Sequence, residues 1–296
     1  MEEAFSNIQN KNYKGAYSIF VKAFNDSSEV GMYDLTSAAF VATQISEFNV
    51  AFDWLDWSIK KGLGKKQEEL DYSFTSLYKF KKWKKIKKEV NKNYNQELKR
   101  LKKDSIEWIQ DVSNNRLITR NHLKPKPGFP LYFQKYAETD VPYLVYIPKK
   151  HLLKKNNKVI VFLHGGVANT SDFNYKDPQV KNEPIFNVAD SLGFIVIYPF
   201  GKKSFGWVDQ PEAFENILNI INEVKKRYDL KNNNTYLGGM SNGGTATFWF
   251  ASQKPNIFNG FFAVSAFPNL SFENIKFENI SQGKPFYSLN DKNDQI

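Results

Sequence analysis

Apolar residues recur at three- and four-residue intervals through the first hundred positions, then in short unbroken blocks after position 129. The first pattern predicts helix after helix; the second predicts buried strands. Residues 131–137 and 141–147 are aromatic and β-branched runs separated by Glu138-Thr139-Asp140, the mark of an antiparallel hairpin. Further short apolar blocks occupy 159–163, 194–198, 235–237, 260–264 and 285–289. Helix-length segments lie between most of them, at 183–191, 211–226 and 245–252. Buried strands alternating with helices specify an α/β fold, a doubly wound and mostly parallel sheet. Residues 104–128, which end in Lys124-Pro125-Lys126-Pro127-Gly128, read as a linker between a helical region at 1–103 and an α/β domain at 129–296.

Within the helical region two windows share small residues at matching places. Ala16, Phe20 and Ala23 form one, and Ala51, Leu55 and Ser58 the other, with Ala16 and Ala51 35 residues apart. Each follows an aromatic-containing turn, Asn12-Tyr13-Lys14-Gly15 and Glu47-Phe48-Asn49-Val50. The pattern over 1–62 resembles tetratricopeptide repeats, all-α helical hairpins in which small residues let paired helices approach closely. A degenerate third unit falls at 66–92, where Trp83 and Lys85 break the small-residue spacing. An ordinary helical bundle is the competing reading. If the repeats are real, the resemblance implies a protein partner.

Charge changes the picture in one place. Residues 60–103 hold 16 Lys or Arg against five Asp or Glu, more than the whole net charge of +10. Such a segment could meet an anionic surface, a polyanion or a lipid. Yet Phe80, Trp83, Ile86, Val90, Tyr94, Leu98 and Leu101 recur at helical spacing through its second half. That is the pattern of an amphipathic helix with a lysine-rich solvent face, so no nucleic-acid partner is expected. No run reaches 18 apolar residues, so no membrane span is expected. MEEAFSNIQN carries no basic stretch followed by an apolar one, and leaves a cytoplasmic or an exported location equally open. Without cysteine there is no disulfide, thiolate metal site or thiol nucleophile, and three dispersed histidines predict neither a metal nor a cofactor.

The candidate chemistry lies in Gly238-Gly239-Met240-Ser241-Asn242-Gly243-Gly244, between a strand-like and a helix-like run. A serine at so sharp a turn needs small neighbours, and the following helix N-terminus favours developing negative charge. A plain glycine-rich turn is the alternative, and the Lys-Ser/Thr ending of a phosphate loop is missing. A second motif, Leu163-His164-Gly165-Gly166, ends the block at 159–163, 77 residues before Ser241. On these motifs, and on FIVIYPFGKKSFGW, residues from about 129 onward resemble an α/β-hydrolase of the serine esterase and peptidase group. The likeness extends to polyhydroxyalkanoate-depolymerase-like and feruloyl-esterase-like carboxylesterases, and the two-part layout resembles a bacterial arrangement.

The resemblance implies hydrolysis of a small or polymeric ester, or of a peptide, through an acyl-enzyme on Ser241. It implies an oxyanion hole from the amides of Gly166 and Asn242, and an acid at Asp294, with Asp291 the runner-up. It also implies a histidine after the acid. The three histidines, His122, His151 and His164, all precede Ser241. Two explanations stand at this point: a fragment of a longer chain, or a catalytically silent hydrolase fold that serves as an interaction protein. Phe205 and Trp207 are candidates either for substrate contact or for packing.

Overall fold

The computed structural model describes residues 1–26, 30–66, 70, 73–121, 127–149, 158–230 and 234–292. They form two compact units, Met1–Lys103 and Asp104–Ile296.

The first unit begins with four helices, α1 (Glu2–Gln9), α2 (Tyr13–Asp26), α3 (Met32–Gln44) and α4 (Phe48–Lys61). They make two hairpins whose turns match in backbone detail at an offset of 35 residues. Lys11 and Ser46 both take positive φ, 58° and 66°. Asn12 N–H donates to Asn7 O and Glu47 N–H to Ala42 O, each at 2.8 Å. Ala16 and Ala51 open the second helix of each hairpin and are completely buried. With no side chain beyond Cβ they let the helices close, and Phe20 and Leu55 fill the space one turn later. Buried Ser58 ties α4 to the start of α3, donating to Met32 O at 3.0 Å.

A third hairpin is not formed at 66–92 by the described residues. A single 3-10 turn, Thr75–Leu77, precedes the long helix α5 (Lys81–Asn121). Trp83, Ile86 and Val90 bury against the hairpins, but Leu98 and Leu101 are 44% and 41% exposed. The apolar stripe therefore outruns the core it was expected to cover. The core ends where Asn93 Nδ2 donates to the carbonyls of Ile59 and Leu63 and so satisfies the end of α4. Residues 104–121, expected as linker, continue α5 instead. Trp108 and Val112, one turn apart, are buried in the second unit.

The second unit is built on a seven-stranded sheet: β1 (Leu131–Tyr136), β2 (Thr139–Tyr146), β3 (Val159–Leu163), β4 (Ile195–Pro199), β5 (Thr235–Met240), β6 (Phe261–Val264) and β7 (Phe286–Leu289). Their order is β1-β2-β4-β3-β5-β6-β7; β1 and β2 pair antiparallel, β2 meets β4 antiparallel, and the remaining pairs are parallel. Crossovers contain α6 (Pro184–Leu192), α7 (Pro211–Arg227), α8 (Asn242–Gln253) and α9 (Phe277–Ser281). Every residue of β3 and β4 is buried, and alternate side chains enter opposite layers. Val159, Val161 and Leu163 pack in the layer of α7, whereas Ile160 and Phe162 pack in that of α6. This is a doubly wound α/β fold with an all-α region before it. No described helix is long and apolar enough to cross a membrane.

Because β3 leads to β4 on one side and β5 leads to β6 on the other, the strand order reverses between the neighbours β3 and β5. Open α/β sheets bind ligands beyond the carboxyl ends of strands at such a point. The register Leu163↔Gly239 brings those two ends level.

Enlarging either repeated alanine should force the hairpins apart. Ala16→Leu and Ala51→Leu are each expected to cost about 1–3 kcal/mol, read as a lower urea midpoint by far-ultraviolet circular dichroism. Unchanged midpoints in both would show that these residues do not set the helix separation.

Candidate active site

Two chain turns meet at the switch point. The first carries the chain from β5 into α8 through Ser241, whose φ of 52° and ψ of −120° are sterically costly for a residue with a side chain. The helix begins at Asn242, immediately after it and three residues earlier than the apolar pattern suggests. Such a turn requires close backbone approach. A Cβ on Gly243 would stand 1.8 Å from Leu163 O, and one on Gly239 2.3 Å from the Gly243 backbone. The strained serine is fixed from both sides: its N–H donates to Val264 O at 3.0 Å, and its carbonyl accepts from Thr245 N at 2.9 Å. The side chain is exposed, and among the described residues its hydroxyl makes no hydrogen bond.

The second turn follows β3. Gly201 N–H donates to His164 Nε2 at 3.0 Å, so that nitrogen is an acceptor, and the proton sits on Nδ1. Nδ1–H then donates to Gly165 O at 2.6 Å. Carbonyl and following amide point opposite ways in a trans peptide, so pinning the Gly165 carbonyl turns the Gly166 N–H away from the ring. Gly166 takes φ of 74°, a left-handed conformation that favours glycine. Its own carbonyl accepts from Thr170 Oγ1 at 2.8 Å. Trp207 Nε1–H donates to His164 O at 3.0 Å, and Tyr198 stacks on the imidazole with ring centres 5.6 Å apart. Burial pushes the His164 value below the usual 6.5, and the bond to Gly165 opposes this. The ring is a neutral structural brace.

Ser241, Gly165, Gly166 and His164 line one cleft of about 470 Å³, the size of a small-ligand site. Asn242 opens α8 beside it, and its Oδ1 accepts from Ala168 N–H at 3.5 Å, which links the two turns. Neither the Gly166 nor the Asn242 amide is spent on a backbone acceptor among the described residues. Asp294, His122 and His151 lie outside the described residues, while Asp291 follows β7. Trp207 is 2% exposed and Phe205 packs against the same core, so both serve packing.

Asp177, Glu183 and Tyr198 also line the cleft, and no motif in the sequence marks the two acids. Glu183 precedes α6 without capping it, and its Oε1 accepts from the Tyr198 hydroxyl at 3.3 Å. Burial pushes the Glu183 carboxyl value up from its ordinary range, and the tyrosine bond opposes that.

The reversal of strand order, the strained turn at Ser241 and the adjoining His164 loop together define an α/β-hydrolase type of fold. No family model matches the chain. It is similar to the bifunctional acetylxylan esterase/xylanase XynS20E of Neocallimastix patriciarum, 29% identical over 154 residues, which are 51% of this chain and 21% of that protein. The chain thus spans about a fifth of the length of the curated relative it matches. Solved structures similar to it include a thermostable esterase (20% identity, TM-score 0.41, 56% of this chain and 55% of that one). Another is the acetyl xylan esterase of Aspergillus awamori (22% identity, TM-score 0.36, 45% of this chain and 50% of that one). A third is the S-formylglutathione hydrolase FrmB of Staphylococcus aureus (18% identity, TM-score 0.40, 52% of this chain and 66% of that one).

The His164 brace makes stability depend on pH. A lowered folded value means the unfolded chain binds the proton first, so stability is complete above pH 6.5 and declines as pH falls through it. The slope can reach about 1.4 kcal/mol per pH unit. His164→Gln, which retains an acceptor for Gly201, should be less stable at pH 8 and show a shallower loss from pH 7 to 5 in urea titrations. Equal slopes in the two proteins would remove His164 from the pH dependence.

Proposed function

We propose that the second unit hydrolyses carboxylic esters through an acyl-enzyme on Ser241. The observation that carries this is the forced backbone of Ser241 at the switch point, with its hydroxyl exposed into a cleft shared with the Gly166 loop. In this reading Ser241 Oγ attacks the ester carbonyl carbon and its proton passes to a base. The oxyanion is held by the amides of Gly166 and Asn242, helped by the N-terminus of α8. The carbon–oxygen bond to the alcohol then breaks and the alcohol takes up a proton. Water attacks the acyl group, and the acid leaves with Ser241 restored.

The base is not His164, whose Nε2 lone pair is occupied by Gly201 and whose Nδ1 proton is bonded to Gly165. Asp294 remains the proposed acid. The named activity of the curated relative favours an ester over a peptide, and an acetyl or other short acyl group on a small or polymeric alcohol. The matched turns of the first unit favour the tetratricopeptide-like reading of that unit, as a surface for a protein partner.

A fluorophosphonate should form one covalent adduct, detected by intact mass and absent in Ser241→Ala. An oxyanion hole and binding alone leave about 10³–10⁴-fold catalysis over water, so slow labelling is expected even without an intact triad. A folded protein that stays unlabelled, or a label that survives Ser241→Ala, would overturn the reading.

A further inference from the structure

The cleft beside Ser241 has a charge sense opposite to that of the protein around it. Residues 104–296 contain 22 Lys or Arg against 18 Asp or Glu. Yet the described lining of the cleft holds the carboxylates of Asp177 and Glu183 and neither lysine nor arginine. Two of the cations close by in sequence lie on aromatic rings: Lys176 Nζ is 5.6 Å from the Tyr175 ring centre, and Lys202 Nζ 4.8 Å from that of Phe173.

The two carboxylates differ in availability. Asp177 spends one oxygen on the Gln179 amide at 2.9 Å and stands in solvent. Glu183 is half-buried, holds no helix cap, and is anchored through one oxygen to Tyr198. Tyr198 is itself 2% exposed, stacked on His164 and packed on Phe186 with ring centres 5.5 Å apart. The same tyrosine therefore touches the brace of the Gly166 loop and holds the Glu183 carboxylate. One Tyr198 bond leaves most of the acceptor capacity of Glu183 unused, and a carboxylate accepts at both oxygens. Thr170, Asn174 and Gln179 add polar groups to the lining.

We propose that Glu183 selects the ester by charge: the substituent reaching its wall donates hydrogen bonds, as hydroxyls or an ammonium, and a carboxylate there is rejected. This rests on Ser241 being the nucleophile. An anion would meet the two carboxylates of the lining, one of them half-buried, whereas a donor gains a charge-assisted bond.

The test uses four fluorophosphonates of equal length ending in methyl, hydroxyl, ammonium or carboxylate, with labelling rates of the full chain read by intact mass. Relative to the methyl probe, the hydroxyl and ammonium probes should be faster, and the carboxylate probe roughly tenfold slower, a ratio within reach of one unscreened charge pair. Glu183→Gln should shrink the spread, and Glu183→Lys should place the carboxylate probe ahead of the ammonium one. A merely structural role would slow all four together. Should the lysine variant not fold, the glutamine variant decides. Equal rates for the four probes in the original chain, or one order in every variant, would overturn the selection while leaving Ser241 as nucleophile. Absence of any label in folded protein would overturn the nucleophile and the selection with it.

Discussion

The carbonyl of Leu163 and the backbone of Gly243 occupy space that a single Cβ would close, and the site is arranged around that contact. A side chain at Gly243 would stand 1.8 Å from the Leu163 oxygen. With the contact allowed, β3 and β5 can lie side by side with their ends level, and α8 can begin directly over them. Ser241 is then forced into a backbone conformation costing of order 1–3 kcal/mol. Such strain persists only where surrounding bonds over-determine it. Here Val264 holds the Ser241 amide, Thr245 N–H holds its carbonyl, and the Thr245 hydroxyl is bonded to Phe267 O at 2.7 Å.

The loop after β3 shows how one polar side chain can serve a site without entering its chemistry. Both nitrogens of His164 and its carbonyl have partners: Gly201, Gly165 and the Trp207 indole. Protonation would remove the acceptor that Gly201 uses, and burial separately disfavours the cation by taking its charge out of water. A neutral imidazole is therefore part of the loop's geometry. That geometry settles which way the peptide between Gly165 and Gly166 faces, and so whether the Gly166 amide is available.

The sequence disclosed most of the second unit because its signals are local. Blocks of β-branched and aromatic residues became β3, β4 and β6 within about a residue, since full burial on both faces needs unbroken apolar runs. Boundaries slipped where a special turn replaced a propensity signal. α8 starts at Asn242 because the strained serine, not a capping side chain, launches it. Residues 104–121 read as part of a linker because of the Pro- and Lys-rich stretch that follows, yet Trp108 and Val112 bury and keep them helical. The two turns that carry Gly166 and Ser241-Asn242 were legible because glycine flanks them in a recognisable order. Glu183 was not. Its meaning comes from Tyr198, 15 residues away, and a lone glutamate before a proline looks like any helix start.

Net charge would mislead about this molecule. The excess of lysine lies mainly in residues 60–103, along the outer face of α5 and the turns before it, where it keeps a helix soluble. In the second unit the aromatic content offers cations another place to rest. Lys158 lies over Phe194 and Lys202 over Phe173. A cation over a ring face satisfies itself without a carboxylate. The carboxylates of the cleft have no basic residue among its described lining, although basic residues outnumber acidic ones in the unit. What a bound molecule feels is the nearest few groups inside low-dielectric walls, not the sum over the surface. For this fold the consequence is that a basic protein presents an acidic cleft at its exposed serine.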